Sequence, residues 1–436
     1  MFLLLLLMLA QAPPLPAGEP LAYRVFEVKQ AGEAIAVVRA SCEKCDWGVE
    51  GREAAALQVS FDGRYSQHVM LARGSGTWEY QITLGAVAPG THRVFVHLDA
   101  KLSAPNIGKV AVAGVSTHVV AAGSDEHLAQ AMAPIIYARP DTVGRFTDLP
   151  VFMWYEIVPA AQGRQFRYST IFSNEDGGTA TDRLMATWGR TTDIEFTYGV
   201  TVDAQGTVVA EEFQGPGHEV PAFKGRHEGR HPLQWVSTMN NMVSESGPTE
   251  IRYAPAPVKF DLTNASREIV MDAQPWTHVL ASKEMVREKK LSETAAAGSG
   301  IIPDPRRFVF VEACTDLQNA AVAFAVRARD PSGEVRWFES DRGLPQFRIV
   351  RTGCFRGAVP LPAGAGKPDA VRLKASSLPP RPNAPPPAGP ASVTLTRVNR
   401  VFTLDDGYLP AKSVFAWTGS TRLAIDGDPV EFRFER

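Results

Sequence analysis

Residues 200–213 read VTVDAQGTVVAEEF, two alternating apolar runs on either side of Ala204-Gln205-Gly206. That is the pattern of two antiparallel strands joined by a tight turn. Just upstream, TTDIEF (191–196) extends the first strand. Strand side chains alternate, so Asp193 and Glu195 leave one face while Ile194 and Phe196 leave the other. The apolar face is expected to be the core. Two carboxylates side by side on the remaining face bind a cation, split their pKa values for acid–base work, or form an ordinary solvated pair.

Similar strands run outward in both directions. LPVFMWYEIV (149–158) and FRYSTIFSN (166–174) precede the hairpin, and ALQVSFDG (56–63), WEYQITLG (78–85) and HRVFVHLD (92–99) come earlier, separated by Asp-Gly, Gly-Ser-Gly and Pro-Gly turns. Beyond it lie RFVFVEAC (307–314), AAVAFAVRA (320–328), EVRWFES (334–340) and PQFRIVRTGC (345–354). Two helices are expected: SDEHLAQAMA from Ser124, a suitable N-cap, and WTHVLASKEMVREKKL after Pro275, which suits a first helical position.

A chain of 436 residues exceeds what one core organises. The expected fold is mainly β: an N-terminal immunoglobulin-like sandwich (21–122), a central β-rich, sandwich-like domain with one or two helices and polar loops (123–292), and a C-terminal β region (293–436) with a proline-rich insertion at 378–392. Residues 1–20, opening MFLLLLLMLAQA, read as a secretory signal, with the small triplet Ala10-Gln11-Ala12 at its end, although no Lys or Arg precedes the apolar run. The destination is secreted or periplasmic, with no transmembrane anchor after cleavage. Four cysteines in an exported chain read as two disulfides, Cys42 with Cys45 and Cys314 with Cys354. A formal net charge of −2 provides no field for nucleic acid.

Four polar clusters crowd the central region. In SNEDGGT (173–179), Asn174, Glu175 and Asp176 either supply oxygen ligands to a hard cation or form an ordinary turn. GRHEGRHP (225–232) sets His227 and His231 four apart with Glu228 after the first, but two glycines and Pro232 argue against the helix a zincin needs. His218, brought close by a hairpin, joins one of them in metal binding or acid–base work, or else the stretch is a solvated connection. WGRTTDIE (188–195) adds Arg190, and TMNNM (238–242) adds Asn240 and Asn241. Chain order places the 217–235 stretch at the rim of a polar pocket, with Asp193 and Glu195 on its floor.

The segment WGRTTDIEFTYGVTV resembles the strand segment of the necrosis-and-ethylene-inducing protein family, whose heptapeptide reads Gly-His-Arg-His-Asp-Trp-Glu, and of vacuolar-sorting-like proteins with Gly-Asp-Trp-Glu before a strand. Gly189, Asp193 and Glu195 match, and APIIY (133–137) is similar to an Ala-Pro-rich opening strand of those proteins. The resemblance implies a β-sandwich with a cation near the carboxylates and a role at glycan or lipid headgroups; the family histidines are replaced by Arg190 and Thr192. Taken whole, the central region resembles a family of exported bacterial β-rich proteins, which supplies no activity.

Two functions follow as expectations. One is a non-catalytic binding protein for cell-wall or extracellular glycan or another cell-envelope ligand, with Trp47, Trp78 or Trp188 stacking on sugars. The other is a metal-assisted hydrolase of extracellular glycan, using Asp193, Glu195 and His218 as catalytic groups and as ligands of a divalent cation, the one cofactor the sequence suggests.

Overall fold

The computed structural model describes residues 13–16, 18–175, 177–378 and 389–434. Most of the signal segment, Asp176 and residues 379–388 of the proline-rich insertion lie outside them. Strands take 47% of the chain and helices 9%, so helices serve as covers on a mainly β framework. Among the described residues no helix is long and apolar enough to cross a membrane.

The chain divides into two compact units, residues 1–176 with 192–260, and residues 177–191 with 261–436. Residues 177–191 and 261–292, which the sequence groups with the central region, belong to the second unit.

The first unit opens with a seven-stranded sandwich: β1 (Ala22–Val28), β2 (Gly32–Cys42), β3 (Ala56–Phe61), β4 (Arg64–Met70), β5 (Thr77–Val87), β6 (Gly90–Asp99) and β7 (Val110–Ala121). Its sheets run β1-β6-β3-β4 and β5-β2-β7 around a shared core that includes Ala36, Val38, Leu57, Val59, Val94 and Val96. β2 beside β5 and β3 beside β6 follow the immunoglobulin order. The first and last strands, however, occupy each other's sheets. Cys42 and Cys45 are bonded and buried at the end of β2.

Helix α1 (Asp125–Ala131) starts where expected, the Ser124 side chain accepting from the His127 N–H at 3.0 Å. The central strands are β8 (Ile135–Tyr137), β9 (Pro150–Ala160), β10 (Gly163–Phe172), β11 (Asp193–Val202), β12 (Val208–Phe213), β13 (His227–Glu228), β14 (His231–Val236), β15 (Val243–Ser244), β16 (Arg252–Tyr253) and β17 (Val258–Lys259). They make a sheet β12-β11-β10-β9-β17 and a second, β13-β14-β8-β16, with β15 on β14; α1 and both sheets share one core. The 200–213 hairpin forms as read, with Asp203 N–H closing its turn onto the Thr207 carbonyl.

The second unit carries α2 (Thr181–Trp188), α3 (Ile269–Ala273) and α4 (Trp276–Arg287), then β18 (Phe308–Gln318), β19 (Ala320–Arg329), β20 (Val335–Glu339), β21 (Gly353–Pro360), β22 (Ala370–Ser377), β23 (Ser392–Phe402), β24 (Phe415–Arg422) and β25 (Val430–Arg433). Sheets β21-β18-β23-β24 and β20-β19-β22-β25 pack as a sandwich. Along β18, Val309, Val311 and Ala313 point into that sandwich, while Phe308 and Phe310 join Met185 of α2 and Met285 of α4 in a separate apolar cluster. Cys314 and Cys354 face each other across β18 and β21 and are bonded, with a Cα separation of 3.9 Å.

Candidate functional site

Strand β11 withdraws Asp193 from solvent and leaves Glu195 half-buried. In the β10–β11 register Phe172 faces Asp193, Thr170 faces Glu195 and Tyr168 faces Tyr198, with a bulge after Tyr168 that leaves Thr197 extra. The extra residue changes the alternation, so Tyr198, Val200 and Val202 fall on the same face as Asp193 and Glu195. That face is the core. The expectation that only the Ile194 and Phe196 face is buried is corrected: both faces are covered, and Asp193 is 2% exposed.

Three polar clusters named in the sequence converge at this end of β11. Asn241 sits in a left-handed turn (φ 57°), a conformation Asn tolerates. Its Nδ2 donates to Asp193 Oδ2 and to the Asn174 carbonyl, both at 3.0 Å. The Asn174 side chain is itself held, its Oδ1 accepting from Asp148 N–H and Ser173 O–H and its Nδ2 donating to Thr147 at 2.7 Å. Asn174 therefore acts as a brace, with Glu175 half-buried beside it, while Asp176 lies outside the described residues. Toward the surface, Gln214 Nε2 lies 2.8 Å from Glu195 Oε2 and 3.2 Å from His218 Nδ1, and Asn240 Nδ2 lies 3.4 Å from His218 Nε2. Gln214 was not singled out by the sequence; its place just after β12, opposite the start of β11, was the available signal.

Amide nitrogens thus face both nitrogens of the His218 ring. A neutral imidazole accepts at one nitrogen and donates from the other, and the exposed His218 ring keeps its remaining capacity for water or a ligand. Below it, Asn241 Oδ1 is buried with no hydrogen-bond partner, as is Thr170 Oγ1 opposite Glu195. Two buried oxygens without a partner thus lie at this end of β11.

The expected metal trio is corrected. Asp193 is committed to Asn241, and the Gln214 amide stands between Glu195 and His218. Among the described residues no group of three His, Cys, Asp or Glu is placed to hold a metal ion. The other histidines leave the site as well. Gly229 (φ 62°) turns a hairpin between β13 and β14 in place of a helix, so His227 and His231 diverge. His227 Nε2 meets Glu211 at 2.8 Å; buried His231 bonds the Ala133 carbonyl and Glu33 of β2, tying the opening sandwich to the central sheets. Trp47, expected as a sugar platform, is 1% exposed and packs edge-on against Phe146. Trp188 is covered by the Arg351 guanidinium at 4.7 Å, leaving Trp78 as the exposed one of the three.

Arg190 belongs to the second unit, where its Nε lies 3.4 Å from Glu268. There the sequence missed a buried charge network. Glu312 of β18 pairs across the sheet with Arg356 of β21 and Arg400 of β23. Arg356 donates to Glu312 at 2.7 Å and to both oxygens of Asp272 at 3.0 and 2.6 Å; Arg400 also reaches Asp272, and His278 Nε2 closes on it at 2.9 Å. Gly189 is required beside it: a Cβ there would stand 2.7 Å from Arg356 Cγ, and its φ of 60° caps α2. Charged residues inside otherwise apolar strands were the signal.

Burial disfavours charge on Asp272, but Arg356 and the His278 N–H hold its carboxyl well below the usual range. Burial pushes His278 down, outweighing the opposite pull of Asp272, with Arg356 and Arg400 adding to the shift. Folding therefore favours neutral His278. On acidification the unfolded chain takes up its proton first, near pH 6.5, while the folded chain does not, so stability falls as pH drops below that value. Below pH 6.5 the second unit should lose at most about 1.4 kcal/mol per pH unit from this group, until the folded His278 also takes up a proton. Urea titrations at several pH values should show the slope in the parent protein and its loss in His278→Gln; an unchanged slope would reject the assignment.

No family model matches the chain, and no curated protein matches it. Among solved structures, a lectin from Pleurotus ostreatus in complex with GalNAc aligns over 91% of this chain and 83% of its own, at 9% identity and a TM-score of 0.13. At that score the likeness carries no argument about fold or ligand.

Proposed function

We propose that the protein is an exported binding protein for a glycan, held without bond chemistry at the Glu195, Gln214, His218 and Asn240 surface. The observation that carries this reading is the polar surface in which Gln214 bridges Glu195 and exposed His218, and Asn240 lies beside the same ring. A sugar hydroxyl donates one hydrogen bond and accepts others, which suits a surface that offers a carboxylate, an imidazole and carboxamides together. Val220 and Met239, 50% and 54% exposed on the loops that carry His218 and Asn240, offer apolar contact to the C–H faces of a sugar ring. Hydrolysis is less well supported: His218 meets amides, not a carboxylate that would orient it as a base. The two disulfides favour an oxidising compartment.

The test is an array of cell-wall and extracellular oligosaccharides probed with the labelled full chain. At least one glycan class should be retained, and His218→Ala should weaken it about tenfold, the loss of one good hydrogen bond. Retention of no glycan, or a His218→Ala protein that binds as the parent does, would sink the proposal.

A further inference from the structure

We infer that Trp47 and Phe146 position the candidate surface: their contact holds residues 146–148 in place, and through Asn174 that loop fixes the turn that presents Asn240 to His218. All of these residues lie in the first unit. The arrangement shapes the surface whatever its ligand is, so it stands apart from the glycan reading.

Four residues along this line have left-handed backbones without being glycine: Phe146 (φ 55°), Asp148 (φ 53°), His218 (φ 63°) and Asn241 (φ 57°). Asn, Asp and His tolerate that region, but for a bulky side chain such as Phe it is an outlier. Outliers persist only where their surroundings over-determine them, and they gather where a backbone is pre-organised for function. Phe146 is held by its ring, which is buried and meets Trp47 edge-on with centroids 6.3 Å apart. Trp47 is itself buried, two residues past the bonded Cys45. Its turn is closed by Asp46 N–H on the Arg52 carbonyl at 2.7 Å and by Gly48 N–H on Asp46 Oδ1 at 3.0 Å.

From Phe146 the hold passes through hydrogen bonds. Arg139 Nε donates to Asp148 Oδ2 at 2.9 Å, which anchors the second left-handed residue. Asp148 N–H donates to Asn174 Oδ1 at 2.8 Å, and Thr147 accepts from the same side chain. The Asn174 carbonyl takes one bond from the Asn241 amide, and Asp193 takes the other. Asn241 N–H closes its turn on the Thr238 carbonyl at 3.2 Å, and Thr238 O–H donates to Asn240 Oδ1 at 2.7 Å. Asn240 is thereby aimed at the His218 ring, 3.4 Å away. Without the Phe146 ring, fewer contacts oppose the unfavourable backbone of residues 146–148, and Asn174 and Asn241 lose a fixed support.

The test is hydrogen exchange of the full chain followed by mass spectrometry, with residues 237–242 as the reporter and residues 200–208, where β11 ends and β12 begins, as the internal control. In Phe146→Ala, exchange across 237–242 should be at least roughly tenfold faster than in the parent, with 200–208 unchanged. Phe146→Gly should match it: glycine removes the backbone penalty, so fast exchange there traces the effect to the lost ring. Phe146→Leu, which refills the space beside Trp47, should restore most of the protection. Parent-like exchange in the alanine or glycine variant, equal acceleration of both segments, or a leucine variant as fast as the alanine one would overturn the inference. A glycan array that retains nothing would remove the glycan reading and leave these exchange rates as they are.

Discussion

Replacing Arg356 by methionine should destabilise the second unit by about 3 to 5 kcal/mol, the range for breaking a buried ion pair from one side. Arg356 has no exposed surface, and its guanidinium is the shared partner of Asp272 and Glu312. Methionine fills similar volume, so the loss arises from two carboxylates left in a site closed to water and not from a cavity. Arg400 keeps Asp272 partly compensated, but Glu312 retains only the neutral donors Asn399 and the Ser266 N–H at its other oxygen. Adding Glu312→Gln to Arg356→Met should then recover part of the loss, because the uncompensated charge is gone. Urea unfolding at neutral pH measures both. A single-variant loss below about 1 kcal/mol would mean that water or a relocated cation reaches Glu312, contrary to its burial.

The arginine network also shows where sequence reading stops. Strand alternation made β18 legible, and the Asp203–Gly206 turn and Ser124 cap made β11, β12 and α1 legible, because each is set by residues within a few positions of one another. Helix α2 was not read, although Leu184, Met185, Trp188 and the terminal Gly189 carry a helix pattern; the polar loop before it hid the start. The unit boundary between residues 191 and 192 was invisible for a different reason: residues 177–191 pack with strands more than a hundred positions later, and no local signal encodes that. At the candidate site the alternation of Asp193 and Glu195 was read correctly, but the bulge at Thr197, which decides what shares their face, depends on the register with β10. The convergence of His218, Asn240 and Asn241 on β11 followed from chain order alone. The division of labour among the histidines did not, since His231 is claimed by Glu33, almost two hundred residues away.

Loss of the Cys314–Cys354 bond should be the other large effect, about 4 kcal/mol for Cys314→Ala with Cys354→Ala, by the chain-entropy treatment of a loop of this length. The bridge spans 40 residues and joins directly opposed positions on β18 and β21. The intervening loop contains β19 and β20 of the facing sheet, so opening it frees both layers of the second sandwich in the unfolded chain. A unit of this size should melt roughly 10 °C lower. Cys42–Cys45 provides the internal comparison: it closes a separation of only 3 residues, for which the same treatment gives about 2 kcal/mol. Cys42, Cys45 and Cys314 are buried and Cys354 is half-buried. Differential scanning calorimetry of the two double variants should show the long bridge costing about twice the short one. Equal losses would point to local packing around the sulfurs as the source of stability, and a larger loss at Cys42–Cys45 would show that the turn at the end of β2, with Lys44 held at a φ of 62°, depends on its bridge more than the second sandwich depends on its own.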